Sequence, residues 1–335
     1  MISISDSASR KKIRIGVLGC AGIAQRYMIP AILETQDLEL VAVASRTLGK
    51  AKTYTDRFGG EAVEGYENLL NRRDIDAVYV PLPTGLHEQW IILALQEGKH
   101  VFAEKSLAMN VTSAQKMLDL ARENRLVLME DFMYRYHSQH RFVFDQLQRG
   151  AIGELRMLRS YFAFPPLDPH NFRYDKALGG GAILDSAAYT VNVSRWFMGN
   201  DLELGFASLF YDTTKEVCIR GSALLYSPAT GLSALIAFGF DNYYQCNYEL
   251  WGNRGIIHCD RSFTPPPDFT PTVRIGLPEG MQEYTLPADN HFKNILKEFV
   301  DCIRQKQYAK HHEDLLSQSR LLTALQEKGR IQYIQ

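Results

Sequence analysis

Hydrophobic residues follow one pattern up to about residue 130. Segments with helical periodicity separate short, continuous apolar runs, and these runs lie at 13–18, 38–44, 74–80, 99–103 and 126–129. The helical segments lie at 22–34, 47–58, 66–70, 85–97 and 112–124. Apolar runs rich in Ile and Val are typical of parallel strands buried on both faces. Their alternation with helices predicts an α/β fold with a doubly wound parallel sheet, the Rossmann architecture.

A different pattern follows residue 130. Longer runs with β character, joined by short turns, lie at 155–164, 202–211, 217–226, 232–240, 244–251 and 256–259. Helices are predicted at 137–149, 182–198, 290–305 and 314–327. Short connections between strands favour antiparallel pairing. We therefore predict a Rossmann domain over 1–130, with 1–11 as a disordered lead-in, and a C-terminal α+β domain over 131–335 built on a mostly antiparallel open sheet.

The first strand, helix and second strand form a βαβ unit with a glycine turn. Against the dinucleotide pattern G-x-G-x-x-G/A, Gly19 and Ala24 fit the first and third positions. Ala21 occupies the second position, and Gly22 and Ile23 follow it. Small residues let the backbone approach phosphate oxygens, and a helix start attracts negative charge. The turn predicts a dinucleotide site.

The end of the second strand indicates which dinucleotide binds. An NAD site usually has an acidic residue about 20 positions after the glycines, where it binds the ribose 2′-hydroxyl. Here Ser45 and Arg46 occupy that place, and Lys50 follows. A guanidinium and a hydroxyl suit a 2′-phosphate, and no carboxylate repels it. We predict NADP(H) in preference to NAD(H).

Composition excludes several other classes of protein. The 335 residues carry a formal net charge of −1, and no basic stripe indicates nucleic-acid binding. No apolar run approaches the length of a membrane span, and the polar N-terminus does not resemble a signal peptide. Five scattered cysteines without a C-x-x-C pair indicate reduced thiols and a cytoplasmic location. The sequence predicts no metal site: we interpret 311–314, His-His-Glu-Asp, as a solvated helix start.

The strand at 99–103 delivers Glu104 and Lys105 to the carboxyl edge of the sheet, where ligands of open α/β sheets bind. Four segments, in order and spacing, resemble the Gfo/Idh/MocA family of NAD(P)-dependent oxidoreductases. They are 19–24, the turn 81–87, the strand and Glu-Lys pair at 98–105, and Gly-Gly-Gly-Ala-Ile-Leu-Asp at 179–185 with Tyr189. The resemblance covers nearly the whole chain.

The resemblance implies the roles of three residues. Lys105 would lie near the nicotinamide and the reacting oxygen, although Ser106 stands where the family usually has proline. Asp185 and Tyr189 would share one helix face, as their i, i+4 spacing allows. A tyrosine rather than histidine at this position is similar to dihydrodiol dehydrogenase, glucose–fructose oxidoreductase and nucleotide-sugar ketoreductases. We expect the Lys105 ammonium to lower the pKa of Tyr189, which would donate the proton to the substrate oxygen.

Other cleft residues follow from the same resemblance. The cofactor is expected to contact the strand-end residues Pro81, Leu82, Thr84, His87, Glu104 and Lys105. The substrate is expected to contact Arg135, His137 and Arg173 together with Tyr189, because these polar and aromatic clusters suit a ligand rich in hydroxyls or phosphates.

The predicted function is an NADP(H)-dependent oxidoreductase acting on a carbohydrate carbonyl or alcohol, with a nucleotide-linked ketosugar reductase favoured. Oxidation of a dihydrodiol or of an aldose such as xylose or glucose is an alternative. A redox-neutral lyase or glycosidase and a non-catalytic dinucleotide sensor are alternatives of another class. The open face of the second sheet predicts a homodimer or homotetramer, by family analogy.

Overall fold

The structure is a computed structural model that describes residues 11–334; the predicted lead-in therefore lies almost entirely outside the described residues. The first sheet is wholly parallel, in the order β3-β2-β1-β4-β5-β6. Its strands are β1 Ile13–Leu18, β2 Leu38–Ser45, β3 Glu61–Glu64, β4 Ala77–Val80, β5 His100–Glu104 and β6 Leu128–Asp131. The predicted doubly wound sheet is confirmed, although β3 was not predicted.

Helices cover both faces of this sheet. They are α1 Ile29–Glu34, α2 Leu48–Phe58, α3 Tyr66–Leu70, α4 His87–Gln96 and α5 Val111–Glu123. A π-helical segment, Ala24–Met28, precedes α1, and Pro30 is tolerated because it lies in the first turn of α1. Strands β1 and β4 are buried almost throughout, as expected where helices pack on both faces.

The second sheet has nine strands, in the order β14-β13-β12-β11-β7-β10-β9-β8-β15. They are β7 Leu155–Ala163, β8 Glu203–Asp212, β9 Cys218–Tyr226, β10 Ser233–Gly239, β11 Gln245–Gly252, β12 Ile256–Asp260, β13 Thr272–Leu277, β14 Gly280–Thr285 and β15 Arg330–Ile334. The predicted, mostly antiparallel sheet is confirmed. Two pairs, β10 with β7 and β15 with β8, are parallel.

One face of the second sheet is covered by helices and the other is open. α6 spans Ser138–Gln148, and the π-helical segment Ile183–Ala187 leads into α7, Ala188–Met198, which is buried along most of its length. On β9, Ala223 and Leu225 point into the core while Leu224 and Tyr226 are exposed. This alternation is the pattern of a sheet with one solvent-facing side.

The last two helices return to the first domain. α8, His291–Arg304, buries Phe292, Leu296 and Phe299 in the core cluster that contains β1. α9, His312–Lys328, contributes Leu315 to the core around β4 and Leu322 to the core of the second sheet. The two domains are thus joined by packing as well as by the chain at 131–137, and a boundary at residue 130 stays a prediction. None of the helices within 11–334 has the length and apolar character needed to cross a membrane.

Candidate active site

A cleft of about 790 Å³ lies at the carboxyl edge of the first sheet and extends to α7 of the second domain. Its lining includes the glycine turn, the end of β2, the turn after β4, the end of β5 and the segment before α7. These are the sequence-predicted segments, drawn from positions far apart in the chain. A ligand bound in this cleft would contact both domains.

The glycine turn forms one end of the cleft. Ala21, Gly22 and Ile23 line it, whereas Ala24 is buried in the first turn of the helix. Gly19 has φ +122°, and a Cβ there would lie 2.8 Å from Leu82 Cδ2. The turn requires glycine at this position both for its backbone conformation and for the close packing against Leu82.

The end of β2 supplies positive charge to the cleft. Buried Ser45 and exposed Arg46 and Lys50 line it, as predicted, and Arg26 lines the same end. The other side chains that line this end belong to Cys20, Thr47 and Tyr66. None of the described residues at this end therefore carries a carboxylate. The hydroxyl and the cationic groups at this end fit the 2′-phosphate of NADP(H). The acidic residue that binds the ribose 2′-hydroxyl in NAD sites is not among the described residues here.

The turn after β4 is fixed to both domains. His87, a predicted cofactor residue, does not line the cleft, because its ring is buried. Its Nε2 lies 2.8 Å from the Leu82 carbonyl oxygen, and its Nδ1 lies 3.1 Å from the Leu107 carbonyl oxygen. Gly85 N donates to Leu178 O at 3.0 Å, and a Cβ on Gly85 would lie 2.3 Å from Ala177 O. His87 therefore positions the cofactor-side turn, and Gly85 permits its contact with the second domain.

Lys105 is held by Asp185 at the junction of the domains. The Lys105 ammonium donates to the Asp185 carboxylate and to the Asp185 carbonyl oxygen, the latter at 3.0 Å. Arg173 Nε donates to the other carboxylate oxygen at 2.6 Å. Burial by itself would raise the pKa of Asp185, but the two cations hold that pKa well below its ordinary value. Asp185 is an anion that positions both cations.

Ser106 also joins the domains, because its hydroxyl donates a hydrogen bond to Leu184 O at 2.8 Å. The Lys105–Ser106 peptide bond is cis. Serine at the usual proline position thus supplies a contact that proline could not make.

Tyr189 lies beside this ion pair in an aromatic pocket. The Lys105 Nζ lies 4.9 Å from its ring centroid, and Phe162, Phe132 and Phe263 pack around the ring. The expectation that Lys105 lowers the pKa of Tyr189 is wrong for this structure. Burial, followed by the carboxyl groups of Glu104 and Asp185, raises that pKa well above its ordinary value. Tyr189 therefore stays a protonated phenol at neutral pH, with a proton to give.

Acidic residues cluster at the paired ends of β5 and β6, where Glu104 lines the cleft, as predicted, and Glu130 and Asp131 are buried. Glu104 accepts from the Tyr79 hydroxyl at 2.6 Å, and burial raises the pKa of both Glu104 and the neighbouring Asp131. Glu130 accepts from Leu107 N at 2.7 Å, and burial raises its pKa to about 8. Through these hydrogen bonds, Glu104 and Glu130 hold the end of β5 and the turn after it in place.

The structure places two predicted substrate residues away from the cleft. Arg135 donates to Asp314 at 2.6 Å and packs on Trp196, and buried His137 accepts from Gln139 N at the start of α6. Arg135 thus joins the second domain to α9, and the His137 ring packs against His291 of α8. The interpretation of 311–314 as a solvated helix start also needs correction, because His312 is buried and Asp314 pairs with both Arg135 and buried Arg195.

Several lining residues were not singled out from the sequence. They share no local motif and come from different elements: Arg26, Tyr66, Met133, Phe162, Phe164 and Thr264. Arg26 lies on the first helix only four residues after Gly22, so its position near the glycine turn was the one available signal.

Comparison with known proteins agrees with this geometry. Residues 13–132 match the family described as "Oxidoreductase family, NAD-binding Rossmann fold", and residues 140–258 match the "GFO/IDH/MocA C-terminal domain". The chain belongs to the Gfo/Idh/MocA family of oxidoreductases. The predicted family and the predicted enzyme class are both confirmed.

Individual relatives are similar over almost their whole length. The chain is 40% identical over 328 residues to the dTDP-3,4-didehydro-2,6-dideoxy-alpha-D-glucose 3-reductase of Actinomadura kijaniata, covering 98% of each protein. It is 43% identical to the enzyme of the same name from Saccharopolyspora spinosa, covering 88% of this chain and 89% of that protein. The crystal structure of KijD10, a 3-ketoreductase from Actinomadura kijaniata in complex with NADP and TDP-benzene, superposes with a TM-score of 0.94 at 40% identity, covering 97% of this chain and 100% of that one.

Proposed function

We propose that this protein is an NADPH-dependent 3-ketoreductase of a dTDP-linked 3,4-didehydro-2,6-dideoxysugar. One observation carries the proposal: a single cleft holds a cationic dinucleotide end together with Lys105, Asp185 and Tyr189. The names of the relatives at 40% identity and above supply the substrate class. The bound NADP of the solved relative agrees with the predicted cofactor.

The chain's own residues support a reduction. When bound, NADPH supplies the hydride. Tyr189 gives its hydroxyl proton to the carbonyl oxygen, and the Lys105 ammonium stabilises the negative charge that develops there. Asp185 holds Lys105 in place, and Arg173, which lines the cleft beside it, contacts substrate oxygens. The Tyr189 phenol is protonated at neutral pH and therefore has a proton to give to the alkoxide that hydride transfer creates.

The test is NADPH oxidation with the dTDP-linked 3,4-didehydro-2,6-dideoxysugar, compared with xylose, glucose and a dihydrodiol in the reverse direction with NADP⁺. We expect turnover of the nucleotide-linked ketosugar alone, with product reduced at C3. Preferred oxidation of a free sugar or diol would contradict the proposed substrate. Near-normal turnover in both Lys105→Ala and Tyr189→Phe would contradict the assigned roles.

We propose also that the open face of the second sheet joins two copies of the chain. Phe206 and Leu235 flank Leu224 in the register of neighbouring strands, and all three side chains are at least 38% exposed. An exposed apolar row of this kind is typical of an interface. Light scattering should show a dimer or a tetramer, and the Leu224→Arg variant should form a smaller species.

The five free cysteines are consistent with a cytoplasmic location.

A further inference from the structure

Three different metal-binding side chains meet at the C-terminal end of α8, away from the cleft residues. Glu298 and Cys302 are four residues apart and share one face of the helix. His311 follows the helix and immediately precedes α9. Glu298 Oε1, Cys302 Sγ and His311 Nε2 all lie within 4.8 Å of one another.

The separations between these atoms resemble those of a tetrahedral site. Cys302 Sγ lies 3.4 Å from Glu298 Oε1 and 3.6 Å from His311 Nε2, and the latter two atoms are 3.1 Å apart. Zinc bonds of about 2.0–2.3 Å to S, N and O place tetrahedral donors about 3.3–3.6 Å apart. Little rearrangement would be needed for all three to contact one ion.

We propose that Glu298, Cys302 and His311 form a binding site for Zn²⁺ that links the end of α8 to the start of α9. A thiolate together with an imidazole favours zinc over the hard cations Mg²⁺ and Ca²⁺. Cys302 is fully buried, whereas the Glu298 and His311 side chains are 19% and 20% exposed. One side of the site thus opens to solvent, where water supplies the fourth ligand. On binding, the thiol proton passes to solvent as the sulfur–metal bond forms.

Lys310 is the competitor for this ion. Its ammonium lies 2.8 Å from Glu298 Oε1, the same atom that would bind the metal, and its side chain is 46% exposed. A metal ion must displace this ammonium into solvent. Lys310→Ala should therefore tighten zinc binding, which is an outcome that a purely hydrogen-bonded cluster does not predict.

The experiment uses the full-length protein, treated with chelator and kept reduced, and titrated with Zn²⁺ by calorimetry and with Co²⁺ by absorption spectroscopy. We expect one ion per chain, a thiolate-to-cobalt charge-transfer band, a rise in melting temperature with Zn²⁺, and tighter binding in Lys310→Ala. His311→Gln should weaken binding by at least about tenfold, the loss that removing even an outer-shell partner causes. Cys218→Ser, a buried cysteine of β9, is the matched control and should leave binding unchanged.

Cys302 is buried, so Cys302→Ser could disturb folding. The half-buried His311 can be replaced with less risk, and His311→Gln therefore tests the site independently. The absence of a stoichiometric ion in the wild type would overturn the proposal. So would a charge-transfer band that persists in a folded Cys302→Ser variant, or zinc binding that His311→Gln and Lys310→Ala leave unchanged.

Discussion

Arg173 Nε donates a hydrogen bond to Asp185 Oδ2 over 2.6 Å, on the side of the carboxylate opposite to the one that binds Lys105. The two residues are twelve positions apart, and the triple-glycine turn between them makes the contact possible. A Cβ on Gly180 would lie 2.6 Å from the Arg173 carbonyl oxygen. Arg173 therefore holds the Asp185 carboxylate in place, and that carboxylate in turn holds the Lys105 ammonium.

Arg173→Gln should lower kcat by about tenfold to a hundredfold, because a small displacement of a positioned group has effects of this size. The KM for NADPH should not change, since the 2′-phosphate end of the cleft is untouched. Arg173→Lys keeps the charge and should recover part of the loss. An unchanged kcat in Arg173→Gln, measured with saturating NADPH, would contradict a positioning role.

Arg46→Ala should raise the KM for NADPH by about tenfold to a hundredfold, which corresponds to one hydrogen bond between charged groups. The KM for NADH should not rise, because NADH lacks the 2′-phosphate. Lys52→Ala removes an exposed cation of α2 that does not line the cleft and serves as the matched control. An equal effect of Arg46→Ala on both cofactors would place Arg46 elsewhere than at the 2′-phosphate.

Arg135→Gln should lower the free energy of unfolding by about 1–3 kcal/mol, since it removes a charged hydrogen-bond partner of Asp314. The KM for the sugar should stay unchanged, because Arg135 does not line the cleft. Denaturant unfolding and steady-state kinetics on the same preparation check both parts. A raised KM with unchanged stability would restore Arg135 to the substrate site.

Arg135 also shows where prediction from sequence ends. Its partner Asp314 lies 179 residues away, so no local pattern identifies the ion pair, and an arginine near the domain junction suggests a ligand contact instead. By contrast, the position of Lys105 at a strand end could be read from the sequence, and the resemblance to the family, together with their i, i+4 spacing, identified Asp185 and Tyr189. Strands β13, β14 and β15 were not predicted either, and β14, Gly-Met-Gln-Glu-Tyr-Thr, has no regular alternation of apolar and polar residues to detect.

Glu130→Gln should make the stability of the protein less sensitive to a rise in pH between 4.5 and 8. Burial raises the pKa of Glu130 from 4.5 to about 8. The folded state therefore holds a proton that the unfolded state releases, and stability falls as pH rises from 4.5 to 8. Glutamine keeps an oxygen that can accept from Leu107 N and has nothing to ionise. The difference in unfolding free energy between variant and wild type, measured by urea between pH 6 and pH 9, should grow in favour of the variant up to about pH 8.

His291 should act in the opposite direction, because burial lowers its pKa from 6.5 to about 3. The folded state excludes a proton that the unfolded state binds, so stability falls as pH drops from 6.5 toward 3. Through His291 alone, the free energy of unfolding changes by at most about 1.4 kcal/mol per pH unit.

Within the described residues, neither ring nitrogen of His291 has a hydrogen-bond partner, and the ring packs edge-on against His137 and Phe292. An apolar side chain of similar size should therefore cost little at neutral pH. We expect His291→Leu to unfold at lower pH than the wild type, while exposed His170→Gln behaves as the wild type does. Urea unfolding from pH 4 to pH 7 measures the difference. A His291→Leu variant with the wild-type slope would show that another group, such as buried His140, whose pKa burial also lowers to about 3, sets the acid limit.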